Sequence, residues 1–265
     1  MKEIDSLELK SIQLNILRSV HDFCVTHNIK YSLAFGTLLG AVRHHGYIPW
    51  DDDIDIMMLR PDYEKFIQSY ASHEYRVITH DLNSHYMLPF AKVYALQTIL
   101  YEASNMNVEL GINIDVFPVD NYPQNEKEAK RFFFFKKIVS DIHSLKIIKL
   151  SKHRNVLKNA LLCISQVVLA FIPLSFLTNR IEKISKRYAG QMTDTIGVLA
   201  PTDSRYKWRV PKTAFNDYSS LLFEQEYFMT IVDYDCYLKS TYGDYMQLPP
   251  VEHRISHHQF KAYWK

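Results

Sequence analysis

Only 7 of the 265 residues are glycine, and no stretch is of low complexity or repeats another, which argues against a disordered chain or a repeat architecture. Cysteine is scarce as well. The three, Cys24, Cys163 and Cys236, are odd in number, far apart and without CxxC spacing, so neither a disulfide framework nor a zinc knuckle is indicated. Each lies among apolar residues and reads as a small core side chain. The N-terminal MKEIDSLELK has acidic residues where a signal peptide needs an apolar core, and the expected location is the reducing cytoplasm. His253, His257 and His258 lack a compact ligand spacing with carboxylates and read as exposed tail residues.

What is present suits a folded protein with a substantial core: 47% hydrophobic and a rich 14% aromatic residues, as one large domain or a domain with an insertion. A net charge of +2 hides an uneven distribution. Residues 126–187 hold fourteen of the 31 lysines and arginines but only four of the 29 aspartates and glutamates. Within them, Asn159 to Asn179 carries no charge. Its length would span a bilayer, yet a single crossing would split the acidic N-terminal part from the C-terminal third. Two readings remain: a buried helix pair broken near Pro173, or a helical insertion lying in a membrane interface with its basic residues on anionic headgroups. Nucleic acid is not expected, because the residues between the charges are aliphatic.

Chemistry concentrates between Tyr31 and Leu59, YSLAFGTLLGAVRHHGYIPWDDDIDIMML. Tyr31 to Phe35 reads as a short apolar strand ending at Gly36-Thr37, with a brief helix over Leu38 to Arg43. Glycine at such a turn lets backbone N–H groups approach a ligand, and a helix N-terminus favours an anion. After a turn around Gly46 and Pro49, Asp53-Ile54-Asp55-Ile56 alternates as a strand does, which points Asp53 and Asp55 to one side. Paired carboxylates repel each other and resist joint ionisation, so a fold that holds them together usually supplies a cation. Oxygen ligands suit Mg²⁺ or Mn²⁺. A solvated acidic turn is the alternative. Asp51 and Asp52 fall to the turn or behind the ligands.

Flanking segments supply a layered α/β or α+β frame. A helix is expected from Leu7 to His27, another after Arg60-Pro61-Asp62, and strands near Tyr75 to Thr79, Phe90 to Tyr94 and Thr98 to Tyr101. Lys92 sits inside one of these strands, where an edge charge is the ordinary expectation. In GINIDVFPVD, from Gly111 to Asp120, Asp115 is one carboxylate in an apolar strand and needs a partner, a metal or water. Asp120 reads as a turn residue before Tyr122-Pro123.

The run GTLLGAVRHHGYIPWDDDIDI, residues 36–56, closely resembles the signature of the LicD family, phosphotransferases related to the nucleotidyltransferase superfamily that attach phosphocholine to bacterial glycans. YGDYMQLPP, from Tyr242 to Pro250, resembles a second, shorter element of that family, so Tyr242, Gly243 and Asp244 are candidate substrate-side residues. The resemblance implies a nucleotidyltransferase-like mixed sheet flanked by helices, with a third metal-site carboxylate on a neighbouring strand, matched best by Asp115. Residues 1–125 would form the catalytic core, 126–187 a basic and apolar helical insertion, and 188–265 would complete the catalytic domain. CDP-choline is implied as donor and a glycan or lipid-linked glycan as acceptor, in lipopolysaccharide or teichoic acid precursors, with CMP leaving. Asp53 and Asp55 would hold Mg²⁺ or Mn²⁺ and Asp115 would serve metal or base. Gly36, Thr37, Arg43 and Lys92 would contact phosphates, with His44 and His45 as weaker candidates beside the diphosphate. A choline head favours an aromatic cage, for which Tyr47, Trp50 and Trp208 are available. The location implied is cytoplasmic, peripheral on the inner face of the membrane. Alternatives are transfer of another phospho-sugar or phospho-alditol group, or an inactive glycan-binding scaffold.

Overall fold

A computed structural model describes residues 1–102, 108–150, 154–200, 208–255 and 260–265. Strand β1 (Glu3–Ile4) leads to Asp5, whose carboxylate accepts the backbone N–H groups of Leu7 and Glu8 and so caps helix α1 (Ser6–Thr26). Along α1 the buried residues Leu9, Ile12, Ile16, Leu17, Val20 and Cys24 recur at three- and four-residue steps. They give the helix an apolar stripe that lies on the sheet. The short β2 (Ser32–Leu33) and helix α2 (Phe35–His44) follow, then β3 (Asp55–Leu59) and α3 (Arg60–Ser69), whose first turn holds Pro61. Strands β4 (Tyr75–Ile78), β5 (Ala91–Ala95), β6 (Thr98–Glu102) and β7 (Asn113–Asn121) complete the first half.

Three helices then run consecutively: α4 (Glu126–Ile147), α5 (Val156–Val168) and α6 (Leu174–Ser185). The chain returns through β8 (Thr195–Val198), β9 (Arg209–Pro211), the hairpin β10 (Tyr218–Phe223) and β11 (Glu226–Ile231), helix α7 (Tyr234–Tyr242), and β12 (Phe260–Trp264). The main sheet has the order β2-β3-β7-β5-β4, with β8 on β7 and β9 on β8. Only β3 and β7 pair in parallel. The sheet is therefore mixed, and β7 is central rather than an edge strand. A separate small sheet, β1-β12-β6, brings the two chain ends together.

The central strands are covered on both faces: along β7 every residue but Asp115 and Asn121 is buried, with Ile114 and Val116–Val119 as its apolar run. Asp120 is not a turn residue. It lies in β7, 2% exposed, and binds Arg60 at the head of α3 through two hydrogen bonds, at 2.7 and 2.5 Å. The helical segment does not form the buried pair broken near Pro173. α6 packs along α4, and His143 and Thr178 meet between them at 3.1 Å. α5 buries only Leu162, so it is not half of a buried pair, and Cys163 on it is exposed rather than a core residue. Among the described residues, no helix is long and apolar enough to cross a membrane.

Candidate active site

The register of three strands builds the site. Asp55 on β3 lies opposite Asp115 on β7, and Asp115 lies opposite Lys92 on β5. Partners on adjacent strands project from one face about 4.8 Å apart, so Asp55, Asp115 and Lys92 form a row across the sheet. Lys92 donates to Asp115 at 2.6 Å and to the side-chain oxygen of Asn113 at 2.8 Å. It is 7% exposed. The sequence reading set Lys92 against a phosphate; its ammonium is the counter-charge of the carboxylate row.

β3 begins at Asp55, so Asp53 lies in the preceding loop and not on the strand. The strand start is tied to α2 from both sides of the backbone. Asp55 donates its N–H to the Thr37 hydroxyl at 2.8 Å, and its carbonyl accepts from Ala34 at 2.9 Å. Thr37, expected at the phosphates, is 2% exposed and is engaged beneath the site. Gln13 of α1 fixes the loop from below, donating to the carbonyls of Asp52 and Asn113 at 3.0 and 3.3 Å.

Gly36, the second residue of α2, lies directly against the Asp51 side chain. A Cβ there would lie 2.3 Å from the Asp51 carboxylate. Phe35, just before it, has φ of +41°, a left-handed conformation that a residue with a side chain adopts only under constraint. Its ring is wedged edge-on against Phe117 and Trp208, at 5.3 and 4.8 Å between centroids. The strand-to-helix turn is thus a strained, packed element that carries Asp51 on its outside.

These elements open onto a cavity of about 840 Å³. Asp51, Asp53 and Asp55 line it with carboxylates; Phe35, Trp50, Trp208, Tyr242 and Tyr245 supply aromatic surface. A second chamber of about 60 Å³ lies behind, bordered by Asp52, Asp53, Lys92, Asn113 and Asp115. Asp53 borders both. Asp115 therefore stands next to Asp55 on the sheet but faces the smaller chamber. Oxygens of Asp51, Asp52 and Asp53 come within 4.8 Å of one another. Burial, and then the negative charges of Asp53, Asp115 and Asp51, push the Asp55 carboxyl well above the usual range, against the opposing pull of Lys92. Carboxylates gathered this way fit a divalent cation, which would relieve their repulsion. Alternation leaves Asp51 in the turn or behind the ligands; its packing on Gly36, which the alternation does not encode, brings it to the cavity.

Arg43 reaches the cavity from α2 and donates to the carbonyls of Tyr245 and Gln247, at 2.7 and 3.4 Å, so it also holds the 243–250 loop. That loop leaves α7 at Gly243, whose φ of +74° favours glycine. Tyr242 and Asp244 both line the cavity. Burial and the charges of Asp55, Asp51 and Asp53 raise the Tyr242 phenol. His44 is lowered by burial and by Arg43, which leaves it neutral near pH 7. Of the aromatic trio, Trp50 and Trp208 face the cavity, and Arg254 stacks on Trp50 at 5.6 Å. Tyr47 does not line it. Its hydroxyl donates to Gln13 and Lys10 covers its ring. His253 lines the cavity mouth, while His257 and His258 fall outside the described residues.

In-register strand carboxylates behind an acidic, aromatic-lined cleft are an arrangement suited to an enzyme's active site. Residues 28–154 match the LicD/FKTN/FKRP nucleotidyltransferase domain. Over 269 residues, 99% of each chain, the protein is 32% identical to the lipopolysaccharide cholinephosphotransferase LicD of Haemophilus influenzae. An uncharacterized protein of Rickettsia typhi is 38% identical over 74 residues, 26% of this chain and 24% of its own. Another, from Rickettsia prowazekii, is 49% identical over 47 residues, 18% of each. The chain belongs to the LicD family, and with it to the transferases.

Proposed function

We propose that the protein transfers phosphocholine from CDP-choline to a hydroxyl of a lipopolysaccharide glycan and releases CMP. The observation that carries this reading is one cavity lined by both carboxylates and aromatic rings, in a chain whose full-length relative is named for that transfer. Phosphoryl transfer needs charge neutralisation and alignment more than covalent chemistry. Asp51, Asp53 and Asp55 would hold Mg²⁺ or Mn²⁺, which supplies charge neutralisation at the phosphate oxygens. Trp208, Phe35 and Tyr242 offer ring faces and edges to a quaternary ammonium. Arg43 and the start of α2 at Gly36 favour the donor's phosphates.

In this reading the acceptor oxygen attacks the phosphorus that bears choline. The bond from that phosphorus to the bridging oxygen breaks, and its electron pair leaves on the phosphate of CMP. The hydroxyl proton goes to Asp115 through the small chamber, which has room for a water. We read residues 1–125 and 188–265 as the catalytic body and 126–187 as an insertion that seats the enzyme peripherally on the inner membrane face.

Purified protein incubated with Mg²⁺, CDP-choline and a lipopolysaccharide acceptor is expected to release CMP and add one phosphocholine mass to the glycan. Turnover of a nucleotide-activated sugar or alditol, with none of CDP-choline, would refute the donor assignment.

A further inference from the structure

A groove of about 450 Å³ lies between α4 and α6 and shares no wall residue with the acidic cavity. Its two rims are helical rows. Arg131, Phe135 and Ile138 recur at four and three residues along α4, and Arg180, Ile184 and Arg187 do so along α6 and the turn after it. All three guanidinium groups are on exposed residues. Arg131 lies 5.9 Å from the Phe135 ring and Arg187 5.9 Å from that of Tyr188. Among the described residues, no carboxylate forms an ion pair with any of the three. Glu128, the one acid in the groove, accepts the Tyr188 hydroxyl at 2.8 Å.

Three positive groups around an apolar floor are complementary to an amphiphile with a phosphate at one end. The surroundings point to a membrane as its source. Phe135 in the groove and Phe134 next to it in α4 are 52% and 62% exposed, and α5 presents Val156, Leu157, Ile164 and Val167 to the outside. With no helix among the described residues long and apolar enough to cross a bilayer, an apolar segment flanked by basic residues suits the surface of one. We propose that the α4–α6 groove binds the phosphate headgroup of an anionic membrane lipid, with the three arginines on the phosphate and an acyl chain along Phe135 and Ile138. This rests on the peripheral seating proposed above and goes further, from general adhesion to one headgroup site. It does not depend on the chemistry in the acidic cavity.

The test is co-sedimentation of the full chain with phosphatidylcholine vesicles with or without phosphatidylglycerol. Wild type is compared with Arg131→Ala/Arg180→Ala/Arg187→Ala and with Lys127→Ala/Lys130→Ala/Lys183→Ala, which removes equal charge outside the groove. Diffuse attraction alone weakens binding about fivefold per basic residue removed near an anionic surface, so the control triple is expected to lose at most roughly a hundredfold and the groove triple clearly more. Short-chain phosphatidylglycerol should displace the wild type from vesicles, while inorganic phosphate at the same concentration should not. Equal losses in the two triples would overturn the proposal in favour of diffuse charge attraction. Displacement by inorganic phosphate alone would overturn it in favour of a free anion. A dimer in sedimentation that becomes monomeric only in the groove triple would overturn it in favour of a second copy. Because no donor or metal is needed, failure here is distinct from failure of CMP release.

Discussion

Replacing Arg60 with methionine would leave the Asp120 carboxylate buried without its partner. The pair joins the head of α3 to β7, the strand that also carries Asp115, and both side chains are nearly inaccessible, at 8% and 2% exposure. Its geometry is bidentate, Nε to Oδ1 at 2.7 Å and Nη2 to Oδ2 at 2.5 Å. Breaking a buried pair from one side costs about 3–5 kcal/mol. An unfolding entropy of about 2.1 cal/mol/K per residue gives ~0.56 kcal/mol/K for 265 residues. A loss near 4 kcal/mol therefore lowers the melting temperature by about 7 °C. Calorimetry and urea unfolding of Arg60→Met, Asp120→Asn and the double variant Arg60→Met/Asp120→Leu test this. Each single variant should lose several kcal/mol and the double should recover most of it, since two apolar side chains leave no orphaned charge. Single losses below about 1 kcal/mol, as for a surface pair, or strictly additive losses in the double, would refute the reasoning.

Thr37→Val deprives the Asp55 N–H of its acceptor and should cost about 1–3 kcal/mol in urea unfolding, with Thr37→Ser near wild type; a fully stable valine variant would return Thr37 to a ligand role. Gly36→Ala places a Cβ 2.3 Å from the Asp51 carboxylate, and a displacement near 1 Å at a reacting centre costs about a hundredfold in rate, so CMP release should fall far more than stability does. His143 is fully buried and its imidazole is lowered to about 4, by burial first and by His80, against a Met87 carbonyl that favours the charged form. Among the described residues, its Nδ1 has no partner to receive a second proton's hydrogen bond. The unfolded chain thus binds the proton more tightly: stability is whole above pH 6.5 and declines as pH falls toward 4, by roughly 3 kcal/mol. His143→Gln should flatten that limb of the pH–stability curve, and an unchanged slope would contradict it.

Much of the frame was legible because its signals are local. The apolar stripe of α1 from Leu9 to Cys24, the Arg60-Pro61 helix start and the strands around Val77, Val93 and Ile99 each follow from periodicity within one element. The site was legible in part for the same reason: the DDDID run stands out in any reading. What periodicity cannot carry is register. That Asp55 and Lys92 both meet Asp115 depends on how β3 and β5 align on β7, over separations of dozens of residues. Asp51 reaches the cavity through a close approach to Gly36, and Thr37 leaves it through a bond to Asp55, neither of which alternation encodes. The β10–β11 hairpin turns at Glu224 and Gln225, with φ of +51° and +70°, where glycine or asparagine would have announced it. Asp120 before Tyr122-Pro123 had the look of a turn, and only its pairing with Arg60 explains a carboxylate inside β7.

The most direct measurement is CMP release with CDP-choline and a lipopolysaccharide acceptor, for wild type and Asp53→Asn, with Mg²⁺ and after its removal by a chelator. Asp53 borders both chambers, so a neutral side chain there should reduce release at least a hundredfold, comparable with the loss of one strong electrostatic contact in a transition state. Chelation should abolish release and added Mg²⁺ should restore it. Release that persists in Asp53→Asn and in the absence of divalent metal would contradict the assignment of the acidic cavity as the seat of the transfer.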